Sequence, residues 1–509
     1  MKKSQKVVGA FALVSVFGVF TRLLSFLFKI YLSRALGAEA LGIYQMALSA
    51  FFTFASLSSS GIPLVLSRKT AEYNALGKKN SAPIFTSALC LGIIISLVVT
   101  ILLMIFSKNL GFLFASELAQ PIFLIMLPAL LSTTIYSIVR GWFWGEKKFL
   151  AFSITETIEE ALRILFCILF ISGIFAALEG IYAIAVAFTA SDVIVAIILL
   201  CIYFAQGGKV AKPKSLREIL LPSIPLTAMR LCSSLITTLV AFVLPLRLVT
   251  SGMTGAEATA TYGRISGMAN PLLFAPNAII SGISIVLVPE MSANMVKNDF
   301  FKLNKQLSLS INLSFLISGF FIVAYSSLGS QITELLYKDA ISGQYLQIAT
   351  YFLITMVLTQ MTQSALNSIG KELQSFVNFL IGNVFMIVAI IILPKYIGMY
   401  SVAVATFLST LTTAILNVLS LKKATNLEIN FLKYAFLVII FTLPCSFFGK
   451  CLFNLISPFN KILGLGIALL LSVGAYVALC LITNVLDIRG IILHKFSPLL
   501  HRKKKCLNN

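Results

Sequence analysis

Long apolar stretches separated by short polar breaks run along the whole chain. An α-helix needs about 20 apolar residues to cross the roughly 30 Å hydrocarbon core of a bilayer, and stretches of that length recur. They do not alternate over about 10 residues, as the strands of a membrane barrel would. Windows of about 19 residues therefore predict an all-α integral membrane protein with about fourteen transmembrane helices. The spans are placed at 7–33, 41–66, 83–106, 121–144, 154–176, 180–205, 218–247, 259–290, 306–328, 346–369, 373–393, 399–420, 431–454 and 461–484.

The composition excludes a water-soluble globule. Hydrophobic residues make up 59% of the 509 residues and charged residues 11%, whereas roughly a quarter of a soluble domain is charged. The first apolar stretch follows three lysines, as in a signal peptide, but no small-residue cleavage site ends it before Arg22. We therefore expect a retained first helix.

The formal net charge of +21 would suit a nucleic-acid-binding protein, but the position of the basic residues indicates otherwise. With the N-terminus in the cytoplasm, the segments on that side hold 26 Lys and Arg residues and the outer segments hold 6. Short loops rich in Lys and Arg stay in the cytoplasm. The sequence thus predicts a protein of the cytoplasmic membrane with both termini inside, in contact with anionic lipid headgroups and not with nucleic acid.

Common enzyme motifs are absent from the sequence. There is no P-loop, no H-E-x-x-H and no G-x-S-x-G, and both histidines, His494 and His501, lie in the basic C-terminal tail. The eight cysteines are scattered without a C-x-x-C pair, which predicts packing residues. We expect a transporter without metal or cofactor, driven by the membrane potential, by an H⁺ or Na⁺ gradient, or by the substrate itself.

An internal repeat relates the two halves of the chain. Gly37-Ala38-Glu39-Ala40, between spans 1 and 2, recurs as Gly255-Ala256-Glu257-Ala258, between spans 7 and 8. Near the ends of spans 2 and 8, Ser60-Gly61-Ile62 matches Ser281-Gly282-Ile283. Six spans per copy is an even number, so both copies enter the membrane from the same side and the repeats are parallel.

The repeat predicts the domain organisation. Residues 1–205 form a first lobe of six helices, 206–217 a cytoplasmic linker, and 218–425 a second lobe of six helices. Residues 426–484 hold two further spans, and 485–509 form a basic tail. Two lobes of parallel repeats are typical of transporters that rock around a central cavity. A helical bundle without a transport pathway is the alternative.

Basic residues inside predicted spans are the first candidates for a binding site, because charges in hydrocarbon are costly and usually face a cavity or a partner. They are Arg22 and Lys29 on span 1, Arg230 on span 7 and Arg264 on span 8. Prolines break the backbone ladder of spans 7 and 8, which is tolerated where helices bend around a cavity. For each base the alternative is a long side chain that lies along the helix and reaches the interface.

Acidic residues inside spans are placed differently. Glu156, Glu159, Glu160 and Arg163 lie near one end of span 5, and the spacing of Glu159 and Arg163 predicts an ion pair that is mainly structural. Asp192 lies near the middle of span 6 with no basic neighbour in sequence. It either pairs with a cavity arginine or binds a coupling ion.

The balance of these charges predicts an anionic cargo. Spans 1, 2, 7 and 8 contain no interior acid, and an arginine-lined cavity without carboxylates suits phosphate or pyrophosphate. Uncharged polar residues on spans 10 and 11 could bind sugar hydroxyls or form hydrogen bonds between helices. They are Gln360, Gln363, Asn367, Asn378 and Asn383.

Several motifs resemble one known family. The segment 219–290 closely resembles the stage V sporulation protein B family, through Ile224-Pro225-Leu226-Thr227-Ala228-Met229-Arg230, Ser251-Gly252-Met253-Thr254, Tyr262-Gly263 and Ser266-Gly267-Met268-Ala269. The first span, with Thr21-Arg22-Leu23-Leu24-Ser25-Phe26 and Leu36-Gly37-Ala38, looks like the opening of that family and of the MurJ-type lipid II flippases. Both belong to the multidrug/oligosaccharidyl-lipid/polysaccharide (MOP) exporter superfamily, and the resemblance covers essentially the whole chain.

The resemblance implies alternating access by two six-helix lobes around a cationic cavity for a pyrophosphate-sugar headgroup. It also implies that spans 13 and 14 form a groove for a polyprenyl tail. Arg22 aligns with a cavity arginine of the lipid II flippases, but their next arginine is Phe28 here, with Lys29 beside it. The second helix also lacks the acid and the arginine found in those flippases.

The leading hypothesis is therefore a monomeric flippase that moves an undecaprenyl-pyrophosphate-linked peptidoglycan precursor outward, with spore cortex synthesis as one setting. Arg22, Lys29, Arg230 and Arg264 are its predicted headgroup residues, and Asp192, Glu159 and Arg163 its coupling or charge-pair residues. An exporter of another lipid-linked glycan, such as a capsule or teichoic precursor, is the near alternative. A multidrug antiporter of the same superfamily is a further one, but an exporter of cations would favour an acidic cavity.

Overall fold

The computed structural model describes residues 2–76, 81–109, 111, 114, 116–173, 180–297, 299–425 and 431–483. Within these ranges the regular secondary structure is entirely helical. The first half contains α1 (Lys2–Ser59), α2 (Ile62–Ala75), α3 (Ala82–Ile105), α4 (Ala119–Met126), α5 (Ala129–Gly145), α6 (Phe149–Ile171), α7 (Gly180–Ala205), α8 (Arg217–Thr250) and α9 (Gly255–Gly263). The second contains α10 (Asn270–Leu273), α11 (Ala275–Val296), α12 (Phe300–Tyr337), α13 (Ala340–Ala349), α14 (Leu353–Ser368), α15 (Glu372–Ile392), α16 (Pro394–Ile397), α17 (Ser401–Thr425), α18 (Phe431–Ile456) and α19 (Lys461–Ile482).

The helices confirm the predicted all-α membrane fold. A helix forms hydrogen bonds between its own backbone N–H and C=O groups. It can therefore cross the hydrocarbon core, where lipid offers no hydrogen-bond partners. In the described residues, ten helices are long and apolar enough to cross a bilayer, or eleven with the bent pair α4 and α5, which meet at 47°. The first two predicted spans lie on one of these apolar stretches, Val16–Ala75. The helices are compatible with fourteen spans, and that number stays a prediction.

The chain divides into two compact units. Within the described ranges, residues 2–268 with 394–398 form the first, and 269–393 with 399–483 form the second. The predicted lobes divide the chain elsewhere, because α8 and α9 pack on α1 within the first unit. The predicted lobes are defined by the sequence repeat, whereas the two units are defined by packing. The boundaries of the lobes therefore stay a prediction. The predicted tail 485–509, with both histidines, lies outside the described residues.

Both copies of the Gly-Ala-Glu-Ala repeat stand where a helix begins. Gly37 interrupts α1 with a φ of 79°, a conformation that glycine adopts without steric cost, and the helix restarts after it. Gly255 is the first residue of α9, and Thr254 caps that helix in a capping box with Glu257. Hydrogen bonds from the Thr254 backbone N–H and hydroxyl hold the pKa of the exposed Glu257 carboxyl below its usual range.

The helices that start at the two repeat copies cross closely in the first unit. A Cβ atom added to Gly42 would lie 2.2 Å from the carbonyl oxygen of Thr259. A Cβ atom added to Gly263 would lie 2.0 Å from the carbonyl oxygen of Ala38. Small residues allow such close approach between membrane helices, where packing replaces the hydrophobic effect.

A second close contact lies at the Ser60-Gly61 break between α1 and α2. The Gly61 backbone N–H donates a hydrogen bond to Thr227 Oγ1 of α8 at 3.1 Å. A Cβ atom at Gly61 would lie 2.3 Å from the carbonyl oxygen of Ser223. Further along α1, Thr53 and Thr238 share a buried hydrogen bond of 2.7 Å. Helix α8 is therefore held against α1 and the start of α2 by polar contacts as well as by packing.

In the second unit, α18 and α19 pack on the long helix α12. The ring of Tyr476 lies against Gly319, and Ser326 shares a hydrogen bond of 2.6 Å with Ser446. Two of the predicted sugar-binding candidates serve as contacts between helices or within one. Asn378 donates to Asn417 at 2.9 Å, and Asn383 donates to the carbonyl oxygen of Phe379. The bond of Asn378 favours the alternative of hydrogen bonding between helices, whereas that of Asn383 stays within α15.

The close crossing of α1 and α9 is testable by one added methyl group. Gly263→Ala should destabilise the protein by about 1–3 kcal/mol, because the new Cβ meets rigid backbone. Thermal unfolding in detergent measures the effect. Gly282→Ala is the matched control, since no atom lies within 4 Å of its Cβ position and alanine favours a helix. Equal melting temperatures for the two variants would contradict the contact.

Candidate functional site

A polar cavity of about 430 Å³ lies inside the first unit. Its wall combines parts of α1, α2, α5, α6, α7 and α8 with hydroxyl groups such as those of Ser59, Thr133 and Ser137. Six charged residues also line it: Arg140, Glu156, Glu159, Glu160, Asp192 and Arg230. Charged and hydroxyl groups at this density would be costly in lipid, so the wall is the candidate functional site.

Arg163 organises the acidic side of this cavity. Its Nη2 donates to Glu159 Oε1 at 2.5 Å and to Asp192 Oδ1 at 3.0 Å. Its Nη1 donates to Glu160 Oε2 at 3.0 Å. The guanidinium also lies over the ring of Phe188, 4.9 Å from its centroid. One buried cation therefore holds three carboxylates, which we call the Arg163 cluster.

Local sequence explains two of the three contacts in the Arg163 cluster. Glu159 and Glu160 precede Arg163 by four and three residues, so all three share one face of α6. Asp192 comes from α7, which packs along α6. Thr133 of α5 donates to Asp192 Oδ2 at 2.5 Å, so the second carboxylate oxygen also has a partner. The aspartate is therefore fully bound by protein groups.

Three interpretations from the sequence change here. The Glu159–Arg163 pair is present, but Glu159 lines the cavity and Arg163 has two further carboxylate partners. The partner of Asp192 is Arg163, not an arginine of spans 1, 7 or 8. The cavity does contain carboxylates, because α6 and α7 contribute to its wall. The argument for an anionic cargo from a lack of acids is thus wrong, and any preference for anions must come from particular arginines.

Arg230 is the predicted headgroup residue that the structure places in the cavity wall. Its side chain is exposed and makes no ion pair in the described part of the chain. The other three predicted bases lie outside this wall. Arg22 is exposed on α1, and Lys29 is half-buried, with Glu160 as the acid that acts on it electrostatically. Arg264 begins a π-helical segment, Arg264–Ala269, beyond α9.

The sequence interpretation missed Arg140. It lies on α5 and lines the cavity between Tyr136 and Trp144, which line it too. Its place inside the predicted span 121–144 was a usable signal, since a base in a span is costly. Within the described ranges, no three His, Cys, Asp or Glu side chains are arranged to hold a metal ion.

Comparisons with known proteins agree with this fold. Residues 8–295 match the profile of a family described as polysaccharide biosynthesis protein. Stage V sporulation protein B of Bacillus subtilis (strain 168) is 23% identical over 478 residues, which cover 90% of this chain and 91% of that protein. The family resemblance expected from the sequence is thereby confirmed.

Solved structures of transporters share the architecture. A structure of the lipid II flippase MurJ in an inward closed conformation matches with a TM-score of 0.75 at 16% identity, covering 94% of this chain and 100% of that chain. A multidrug resistance MATE transporter of the MOP superfamily, in an inward-facing conformation, matches with a TM-score of 0.68 at 17% identity. That match covers 80% of this chain and 94% of the transporter. At these identities the matches establish the fold.

The Arg163 cluster predicts that loss of its cation destabilises the protein more than loss of one of its carboxylates. Arg163→Gln should cost about 3 kcal/mol or more in unfolding free energy, because it leaves two buried carboxylates and one partly buried carboxylate without their cation. Asp192→Asn should cost about 1 kcal/mol or less, since Arg163 keeps two carboxylates and Thr133 keeps an acceptor. Unfolding in detergent measures both.

The double variant Arg163→Gln/Asp192→Asn is the control for coupling. Removing one of the uncompensated acids should recover part of the loss, so the two changes should not be additive. A cost for Asp192→Asn as large as that for Arg163→Gln would contradict the shared-cation arrangement.

Proposed function

Because the chain belongs to the polysaccharide biosynthesis protein family, we propose that it is a flippase for a lipid-linked anionic glycan. The cargo in this proposal is an undecaprenyl-pyrophosphate-linked peptidoglycan precursor, moved outward across the cytoplasmic membrane by alternating access. The likeness to stage V sporulation protein B supports a setting in spore formation. The likeness to the MurJ fold supports a lipid-linked cargo.

The observation that carries this proposal is the unpaired Arg230 in the cavity wall. The acids of the Arg163 cluster are already bound by protein groups, whereas Arg230 has no such partner among the described residues. A guanidinium without a carboxylate is a donor fork that matches phosphate or pyrophosphate. The neighbouring hydroxyl groups, such as those of Ser56 and Ser60, add donors and acceptors that suit a sugar.

The Arg163 cluster separates this proposal from a multidrug antiporter. Four carboxylates in the wall would suit a cationic drug if they were free. Three of them share Arg163, and Asp192 also accepts from Thr133. In our proposal the cluster is a charge pair that holds α6 and α7 together. The driving force is then the membrane potential, which favours outward movement of an anion from a negative interior.

The membrane arrangement in this proposal follows the charge distribution. Both termini lie in the cytoplasm, and the protein acts as a monomer. Reporter fusions at the two termini test this orientation.

We further propose that α18 and α19, which pack on α12, provide a groove for the polyprenyl tail. Deletion of the chain after Thr425 should then abolish transport, and transport by the truncated protein would refute the groove.

A depletion strain tests the cargo and the role of Arg230 together. Loss of the protein should cause the undecaprenyl-pyrophosphate-linked precursor to accumulate on the inner leaflet, and wild-type protein should reverse this. Arg230→Ala should lower transport about tenfold or more at unchanged protein level, because a charge-assisted contact is lost. Arg230→Lys should restore only part of it, since lysine lacks the fork.

Two further arginines act as controls for this test. Arg68→Ala changes an exposed arginine paired with Glu72 and should leave transport unchanged. Arg22→Ala tests the role implied by the family resemblance, and the geometry predicts a smaller effect than at Arg230. Accumulation of a different lipid-linked glycan would change the cargo. Full activity of Arg230→Ala would remove the argument for an anion site.

A further inference from the structure

One face of α5 presents an arginine between two aromatic rings. Tyr136, Arg140 and Trp144 are spaced four residues apart, so they stack along one face of the helix. The guanidinium carbon of Arg140 lies 4.9 Å from the centroid of Trp144 and 5.8 Å from that of Tyr136. All three residues line the cavity. We call them the α5 arginine ladder.

The Arg140 guanidinium has no polar partner in the part of the chain that the structure describes. It forms no ion pair and no hydrogen bond there, and its Nε is buried without an acceptor. A buried donor without an acceptor costs free energy. The two aromatic rings attract the positive charge, but they accept no in-plane N–H. The donors of Arg140 therefore remain available to a ligand in the cavity.

The arrangement of acids in the cavity explains why no carboxylate forms an ion pair with Arg140. Three of the four acids that line the cavity, Glu159, Glu160 and Asp192, are bound to Arg163. Glu156 of α6 acts on Arg140 electrostatically without forming an ion pair with it, and Arg22 of α1 acts on Glu156 as well. Glu156 is thus the acid that an incoming anion would have to face. Removal of the Glu156 charge therefore tests whether the ligand of Arg140 is an anion, because an anion should then bind more tightly.

We propose that Arg140, held between Tyr136 and Trp144, binds a phosphate group of the cargo. This inference rests on the proposed function and names a residue of the headgroup site. Contact with two rings restricts the movement of the guanidinium, so less rotamer entropy is lost when it meets a phosphate. A lysine could not be held in this way, because it has no planar group to stack. Tyr136 and Trp144 are positioning residues.

The tryptophans make the site observable with inorganic pyrophosphate as the probe. The chain has two tryptophans, Trp142 and Trp144. Trp142 lies outside the cavity wall and donates to Ser81 Oγ at 3.2 Å. In the full-length Trp142→Phe protein, fluorescence then reports on Trp144 alone. Pyrophosphate should produce a saturable change in the Trp144 fluorescence. Equilibrium dialysis with labelled pyrophosphate should give the same affinity for Trp142→Phe and for wild type.

The variants should move that affinity in opposite directions. Arg140→Gln should weaken binding about ten- to a hundredfold, because a charge-assisted contact is lost. Arg140→Lys should recover only part. Glu156→Gln should strengthen binding severalfold, because a repelling charge is removed. Arg68→Gln, an exposed arginine away from the cavity, should leave it unchanged.

Positioning by the rings has a separate signature. Trp144→Leu should weaken pyrophosphate binding in dialysis, and Trp144→Phe should retain most of it, because a ring still stacks on Arg140. Wild-type affinity in Arg140→Gln, or no saturable binding by wild type, would overturn the proposal. If Arg140→Gln does not fold, Arg140→Lys and Glu156→Gln test the proposal instead. Unchanged pyrophosphate affinity in both variants would overturn the proposal.

Two more comparisons identify the source of the phosphate. The fluorescence titration is repeated in nanodiscs of phosphatidylcholine with and without phosphatidylglycerol. Competition by phosphatidylglycerol would assign Arg140 to bulk lipid headgroups and overturn the proposal, whereas equal affinities support a cargo phosphate. Binding at Arg140 without transport of any lipid-linked glycan would contradict the proposed function and not this site. Wild-type transport by Arg140→Gln would contradict this site alone.

Discussion

The binding of three carboxylates by one buried guanidinium is the interaction on which the polar cavity depends. Uncompensated acids inside a membrane bundle would each cost several kcal/mol. Arg163 satisfies Glu159 and Glu160 on its own helix and Asp192 on the next one. Since these contacts join α6 to α7, the cluster both neutralises the cavity wall and fixes the two helices that form it. The helices can then keep charged groups in the interior of the first unit without loss of the fold.

Close helix crossings make that interior possible in another way. Membrane helices gain little from hydrophobic burial, so they associate where small residues let backbones meet. Gly42 and Gly263 provide such a meeting point between the two helices that begin at the repeat copies. Gly61 provides another, where its N–H bonds Thr227 at a break in the helical path. Backbone contacts of this kind leave the larger polar side chains free to face the cavity.

Hydropathy predicted the all-α membrane fold, because lipid imposes length and polarity on every span. The α6 and α7 segments show this, as the predicted 154–176 and 180–205 correspond to helices at Phe149–Ile171 and Gly180–Ala205. Helical periodicity also predicted that Glu159 meets Arg163. It could not predict that Asp192 joins them, since the approach of one helix to another is a tertiary property. Arg140, inside the predicted span 121–144, could have been named on the same grounds as the other bases in spans, but that it lines a cavity is again a tertiary property.

Four acids and two arginines line the cavity, so a count of its charges alone would favour a cationic ligand. What matters is which charges are already committed to protein partners. The carboxylates near Arg163 have their cation, whereas Arg140 and Arg230 have none among the described residues. These two arginines also differ from each other, because Arg140 is fixed between rings and Arg230 is exposed on α8. One arginine held near two rings and a second, more exposed one in the wall of the same cavity would suit an elongated, doubly charged group such as a pyrophosphate.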